Sequence, residues 1–168
     1  MKKKIKVLFL DVDGTLTDGQ IYIGQNGESF KSFHAHDAVG LRKLVKNGVE
    51  TIIITGRQSE IVSIRAKEMN ISEIYQNVEF KNKVVKEILK TKQINYDEAA
   101  YIGDDENDYE AMLECKYKAC PKNAVKKIKE ISNFISSYNG GDGAVRELCE
   151  YILDTNRGKI KNDSTIFI

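Results

Sequence analysis

Apolar residues in this chain gather into short runs separated by segments of helical period. Val7-Leu8-Phe9-Leu10 is the first run, and Val49–Ile54, Ile71–Tyr75, Ala99–Ile102 and Tyr117–Cys120 follow. The continuous apolar run Val7–Leu10 predicts a strand buried on both faces of a parallel sheet, and the other runs read as further strands. Between them, Leu41, Leu44 and Val45 predict a helix from Asp37 as N-cap to Lys46, closed by Asn47-Gly48. Ser59 is expected to cap a helix carrying Ile61, Val62, Ile64, Arg65 and Met69. Val84, Val85, Ile88 and Leu89 mark a helix to Lys92, and Tyr109, Met112 and Leu113 mark another. Ala124–Ile131 and Ala144–Leu153 complete the helices, with Asn133–Ser136 short and extended between them. One stretch breaks the rhythm. Ile21 and Ile23 alternate with polar or aromatic neighbours, and Asn26-Gly27 is a strong turn signal, so residues 20–33 predict a projecting β-hairpin. Elsewhere strands and helices alternate, which predicts an α/β fold: a doubly wound, Rossmann-like parallel sheet with right-handed crossovers.

Composition narrows the function classes. The 168 residues suffice for one domain with its own core. Lys and Arg number 26 against 25 Asp and Glu, so the net charge of +1 makes no case for nucleic acid or an anionic membrane. No apolar stretch of signal-peptide length follows the basic Met1–Lys4, and none approaches the roughly 20 apolar residues of a membrane span. Cys115, Cys120 and Cys149 are odd in number and lack paired spacing, as expected of reduced thiols in a cytoplasmic protein. With one Pro and no low-complexity tract there is no linker, so residues 1–168 are expected to form a single domain with a tail from about residue 155.

The candidate chemistry lies at strand ends. Three apolar strands run into Asp11-Val12-Asp13-Gly14-Thr15, Thr55-Gly56-Arg57 and Gly103-Asp104-Asp105. In a doubly wound sheet such ends converge on one crevice. Two acids one residue apart repel unless a cation sits between them. Asp105 and Asp108 also suit the start of a helix, where acids complement the dipole. His34 and His36 have a spacing that two metal ligands on one strand face would share, although polar edge positions are the commoner role for such a pair.

An apolar strand followed by Asp-x-Asp-Gly-Thr resembles the first motif of the haloacid dehalogenase-like phosphotransferases, and the two later clusters follow in that superfamily's order. The resemblance implies that Asp11 is a nucleophile forming an aspartyl-phosphate, a role carboxylates fill in phosphoryl transfer. Asp13 is then the acid that protonates the leaving oxygen and the base that activates water. Asp at that position favours phosphatase or phosphomutase over ATPase or dehalogenase. Thr55 matches the motif whose hydroxyl binds a phosphate oxygen, and Gly56 lets the backbone approach it. Lys81 matches the cationic motif, with Lys83 nearby as the other candidate. Asp104, with the Asp11 carboxylate and the Asp13 main-chain carbonyl, would hold Mg²⁺, and Asp105 and Asp108 would support that shell.

The resemblance extends to the small capless branch that holds 3-deoxy-D-manno-octulosonate 8-phosphate (KDO 8-phosphate) phosphatases and nonulosonate 9-phosphate phosphatases. It is carried by Asp18-Gly19, Asn26-Gly27-Glu28, Phe30-Lys31, Phe33–Asp37, Gly40-Leu41 and Gly140-Gly141-Asp142-Gly143-Ala144-Val145-Arg146-Glu147. It implies a sugar-acid phosphate as substrate, with Arg57 and Arg65 at basic positions that serve its carboxylate. Arg146, just inside the last helix, is a candidate to reach a neighbouring subunit's substrate carboxylate. The resemblance also implies a homotetramer in which neighbouring hairpins and C-terminal segments complete each active site. The apolar ending Ile166-Phe167-Ile168 and the glycine run fit contacts with another chain. His36 and Ala38 depart from residues common in the octulosonate enzymes, which leaves a nonulosonate phosphate as the alternative substrate. A further alternative is a non-catalytic partner domain of a sugar cytidylyltransferase.

Overall fold

The computed structural model describes residues 3–71 and 73–160. The apolar ending expected to meet another chain lies outside the described residues. Six strands form one parallel sheet: β1 (Val7–Leu10), β4 (Glu50–Ile54), β5 (Glu73–Tyr75), β6 (Ala99–Ile102), β7 (Tyr117–Cys120) and β8 (Phe134–Ile135), in the order β5-β4-β1-β6-β7-β8. The remaining strands, β2 (Tyr22–Gly24) and β3 (Gly27–Phe30), pair antiparallel as the expected hairpin. The helices are α1 (Ala35–Lys46), α2 (Glu60–Glu68), α3 (Lys81–Lys92), α4 (Tyr109–Leu113), α5 (Lys126–Ile131) and α6 (Ala144–Asn156).

The pleat explains the unbroken apolar run of β1. Leu8 and Leu10 point into a core with Leu41, Leu44, Val62, Leu148 and Ile152, from α1, α2 and α6. Val7 and Phe9 point into a second core with Val85, Ile88, Met112 and Ile128, from α3, α4 and α5. All four β1 residues are fully buried, and each such side chain contributes roughly 1.5–3 kcal/mol.

Three local expectations shift. α1 starts at Ala35 with His34 at its N-cap, so Asp37 is not the cap. The buried Asp37 carboxylate instead accepts the Arg146 N–H at 2.7 Å and serves the first turn of α6. Ser59 does stand at the N-cap of α2, but its hydroxyl donates to Glu28 rather than to its own helix. The hairpin loop is Gln25-Asn26, one residue earlier than Asn26-Gly27, with Gly27 following at a φ of +104°.

Candidate active site

The sheet register gathers the three clusters. Leu10 pairs with Ile53 of β4 and Ile102 of β6, so the chain leaves all three strands side by side. The Asp11 N–H still donates to the Ile102 carbonyl at 3.0 Å, and then the chain turns. The Val12 carbonyl accepts N–H groups from Thr15, Leu16 and Thr17 at 3.2, 2.9 and 3.0 Å, which curls Asp13–Thr15 over the strand end. Gly14 sits at a φ of +94°, and a Cβ there would lie 2.1 Å from Asp104 Oδ2. Only glycine lets this turn press against that carboxylate.

Asp11, Asp104 and Asp108 bring ligand atoms within 4.8 Å of one another. Lys81 Nζ lies 2.6 Å from Asp11 Oδ1 and 2.7 Å from Asp108 Oδ1, with its side chain 1 % exposed. Asp108 has both oxygens engaged: Oδ1 also accepts the Tyr101 hydroxyl at 2.8 Å, and Oδ2 accepts the Asp104 N–H at 3.1 Å. Asp104 Oδ1 accepts the Thr15 hydroxyl at 3.2 Å. Burial, then the Asp108 charge, pushes the Asp11 carboxyl well above its ordinary range against the pull of Lys81. The same two causes raise Asp104 to about 6. Burial works against the Lys81 ammonium, but the Asp11 and Asp108 charges outweigh it and hold the group above its ordinary range. Three carboxylates against one ammonium leave an excess of negative charge. The donors still open are carboxylate oxygens of Asp11 and Asp104, a hard oxygen set that fits Mg²⁺.

Lys81 is therefore the lysine that enters the cluster. Lys83 is exposed, with its ammonium 4.3 Å over the Phe80 ring. Thr55 is buried at the exit of β4, and Gly56 follows it, where an added Cβ would make only ordinary contact, 3.7 Å from the Val78 carbonyl oxygen. Asp13 lies beside the cluster with Arg57 Nε 3.9 Å from its Oδ2. Asp105 stands apart: it is exposed and accepts the Glu106 N–H at 2.7 Å. Arg65 and Arg146 also lie outside the cluster. Arg65 pairs with Glu68 at 2.8 Å and covers the Phe33 ring, and Arg146 pairs with Glu150 at 2.6 Å. His34 and His36 pack edge to face, with ring centroids 4.8 Å apart. Among the described residues, only the three aspartates meet at ligand spacing.

Lys31 and Tyr101 are additions that sequence reasoning did not assign. Lys31 contacts the Asp13 carboxylate from the hairpin. Gly140 touches the site's own turn: a Cβ there would lie 1.8 Å from the Gly14 carbonyl oxygen. Gly140 and Gly141 thus pack closely against the catalytic turn of this chain.

The model for haloacid dehalogenase-like hydrolases matches residues 58–148. The chain belongs to that family. The haloacid dehalogenase-like chain is 36 % identical over 149 residues to KDO 8-phosphate phosphatase of Yersinia pestis, spanning 89 % of this chain and 80 % of that one. The Escherichia coli K12 enzyme of the same name is 34 % identical over 151 residues, 90 % of this chain and 80 % of that one. Among solved structures, the Moraxella catarrhalis KDO 8-phosphate phosphatase, in complex with magnesium, phosphate and KDO, matches with a TM-score of 0.88. It is 39 % identical and covers 92 % of this chain and 88 % of its own. The cobalt-bound Haemophilus influenzae phosphatase matches with a TM-score of 0.88 at 32 % identity, covering 92 % and 90 %.

Proposed function

We propose that this chain is a Mg²⁺-dependent phosphoric monoester hydrolase that converts KDO 8-phosphate to KDO and phosphate through a phosphoryl group carried on Asp11. The observation that carries this reading is the Asp11–Lys81–Asp108–Asp104 cluster at the exit of β1. It stands in a chain similar over most of its length to phosphatases of that name.

The Asp11 carboxylate attacks phosphorus. The bond from phosphorus to the sugar oxygen breaks, and that oxygen takes a proton from Asp13. Water then attacks the same phosphorus and gives a proton to Asp13, and the phosphorus–Asp11 bond breaks to restore the carboxylate. Lys81 fixes one Asp11 oxygen and offsets phosphoryl charge. Thr55 donates its hydroxyl to a phosphoryl oxygen, and Gly56 leaves its backbone open to the group. Asp108 acts through Lys81 and the Asp104 N–H, holding both in place. The Asp11 and Asp104 carboxylates and the Asp13 carbonyl would hold Mg²⁺, which would supply charge neutralisation for the phosphoryl group.

Arg57, half-exposed beside Asp13, is proposed to receive the sugar-acid carboxylate. Arg65 is proposed to contribute to substrate binding, and Arg146 to reach the substrate of a neighbouring subunit, in a homotetramer whose hairpins close each other's sites. The exposed apolar positions Ile23 and Phe30 on the hairpin support such a contact. The three cysteines are free and buried, which fits a reducing cytoplasm, and residues 1–168 act as one domain in this reading.

Phosphate release with Mg²⁺, measured side by side on KDO 8-phosphate and on nonulosonate 9-phosphates, tests the assignment. The expected result is a higher kcat/KM on KDO 8-phosphate. A preference for a nonulosonate phosphate would overturn the sugar and leave the hydrolase class standing.

A further inference from the structure

We infer that Lys31 is a positioning residue for Asp13, held by a relay that runs from Ser59 through Glu28 and Lys31 to the Asp13 carboxylate. The inference rests on the reading above, in which Asp13 is the acid and base. Lys31 lies just beyond β3, and its side chain is 2 % exposed. Its ammonium meets Asp13 Oδ1 on one side and Glu28 Oε1, at 2.9 Å, on the other. Glu28 Oε2 accepts the Ser59 hydroxyl. Ser59 is itself fixed, because its N–H donates to Gln76 Oε1 at 2.7 Å and Gln76 donates on to Ser63 at 2.9 Å. The relay therefore ties the hairpin and the first turns of α2 to the exit of β1.

A buried ammonium is tolerated when its charge is paired, and here two carboxylates flank it. The arrangement is more specific than that requirement. General acid catalysis needs the proton-bearing oxygen held within hydrogen-bond reach of the leaving group. Lys31 occupies Asp13 Oδ1, which leaves Oδ2 as the oxygen turned toward the leaving group, with Arg57 Nε 3.9 Å from it. Without Lys31 the carboxylate, 19 % exposed, would be free to rotate. The hairpin thus sets which face of Asp13 works.

The test compares kcat/KM on two esters, because only one leaving group needs the proton. KDO 8-phosphate leaves as an alkoxide and depends on the acid, whereas 4-nitrophenyl phosphate leaves as a stable phenolate. In Lys31→Met, kcat/KM on KDO 8-phosphate should fall about 10²-fold, the lower end of what a positioned acid supplies. The loss on the aryl ester should be at least tenfold smaller. Lys31→Arg should recover part of the loss on the sugar phosphate alone. Glu28→Gln, which loosens Lys31 without removing it, should show the same selectivity and serves if Lys31→Met does not fold. Parallel losses on both esters, or none, in a folded variant would overturn the positioning role. A wild type inactive on both esters would overturn the phosphatase reading and this inference with it.

Discussion

Substituting Gly140 by Ala isolates one contact between the glycine run and the catalytic turn. Gly140 lies between β8 and α6, where its N–H donates to Asn123 Oδ1 at 2.9 Å. The next N–H, of Gly141, donates to the Thr15 carbonyl at 3.1 Å. An added Cβ would lie 1.8 Å from the Gly14 oxygen, 2.5 Å from the Gly14 carbonyl carbon and 3.0 Å from the Thr17 oxygen. All three are backbone atoms, so no side chain can rotate away. Reaching ordinary contact requires a backbone shift of about 1.5 Å, and forced overpacking costs about 3 kcal/mol at the upper end of its usual range. The atoms that must move adjoin Asp13 and Thr15. A displacement of about 1 Å in a catalytic group can cost about 10²-fold in rate. Gly140→Ala should therefore lower unfolding free energy by about 3 kcal/mol in urea and kcat/KM by about 10²-fold. Gly56→Ala is the control, since its Cβ would meet only the Val78 carbonyl oxygen, at 3.7 Å. Its stability should stay within about 0.5 kcal/mol of wild type while KM rises, because the methyl stands where the phosphoryl group approaches. A Gly140→Ala protein as stable and active as wild type would refute the close packing.

Lys81→Met should cost about 3–5 kcal/mol in metal-free buffer, because it strands Asp11 and Asp108, whereas Lys83→Met should leave thermal stability within about 0.5 kcal/mol. Asp37 is buried, which raises its carboxyl from 3.8 to about 6, so the folded state loses stability as pH rises between those values. Asp37→Asn keeps an acceptor for the Arg146 N–H; from pH 4 to pH 8 its stability relative to wild type should rise by up to about 3 kcal/mol in urea melts, and a flat difference would contradict the burial argument. Chelation should abolish phosphate release and Mg²⁺ should restore it, while Ca²⁺, with its looser and higher coordination, should inhibit; strong turnover with Ca²⁺ alone would contradict the oxygen site.

The strand exits were legible because their signals are local. Val7–Leu10 reads as a doubly buried strand and is one, and Asp11, Thr55 and Asp104 follow from where such strands stop. The resemblance points to Lys81 rather than Lys83, and folding puts one of these helix positions against Asp11 and the other in solvent. What escaped depends on distant partners. Asp37 has the right type for an N-cap, but the helix it serves begins 107 residues later at Ala144. Lys31 sits beside Ser29 and Phe30 with no charge pattern to separate it from solvated lysines, and only folding brings it to Asp13. Asp105 and Asp108 have the same composition signal, yet the short turn at Glu106–Asp108 aims one outward and the other at Lys81. The glycine run signalled close approach without naming what it approaches.

The proposed chemistry turns on Asp11 carrying the phosphoryl group. Rapid-quench mixing of the protein with KDO 8-phosphate and Mg²⁺, followed by mass analysis of the peptide containing Asp11, tests it directly. A phosphoryl adduct on Asp11 should form and decay during turnover and be absent from Asp11→Asn, which should release no phosphate. Phosphate release without any adduct, or undiminished release by Asp11→Asn, would contradict it.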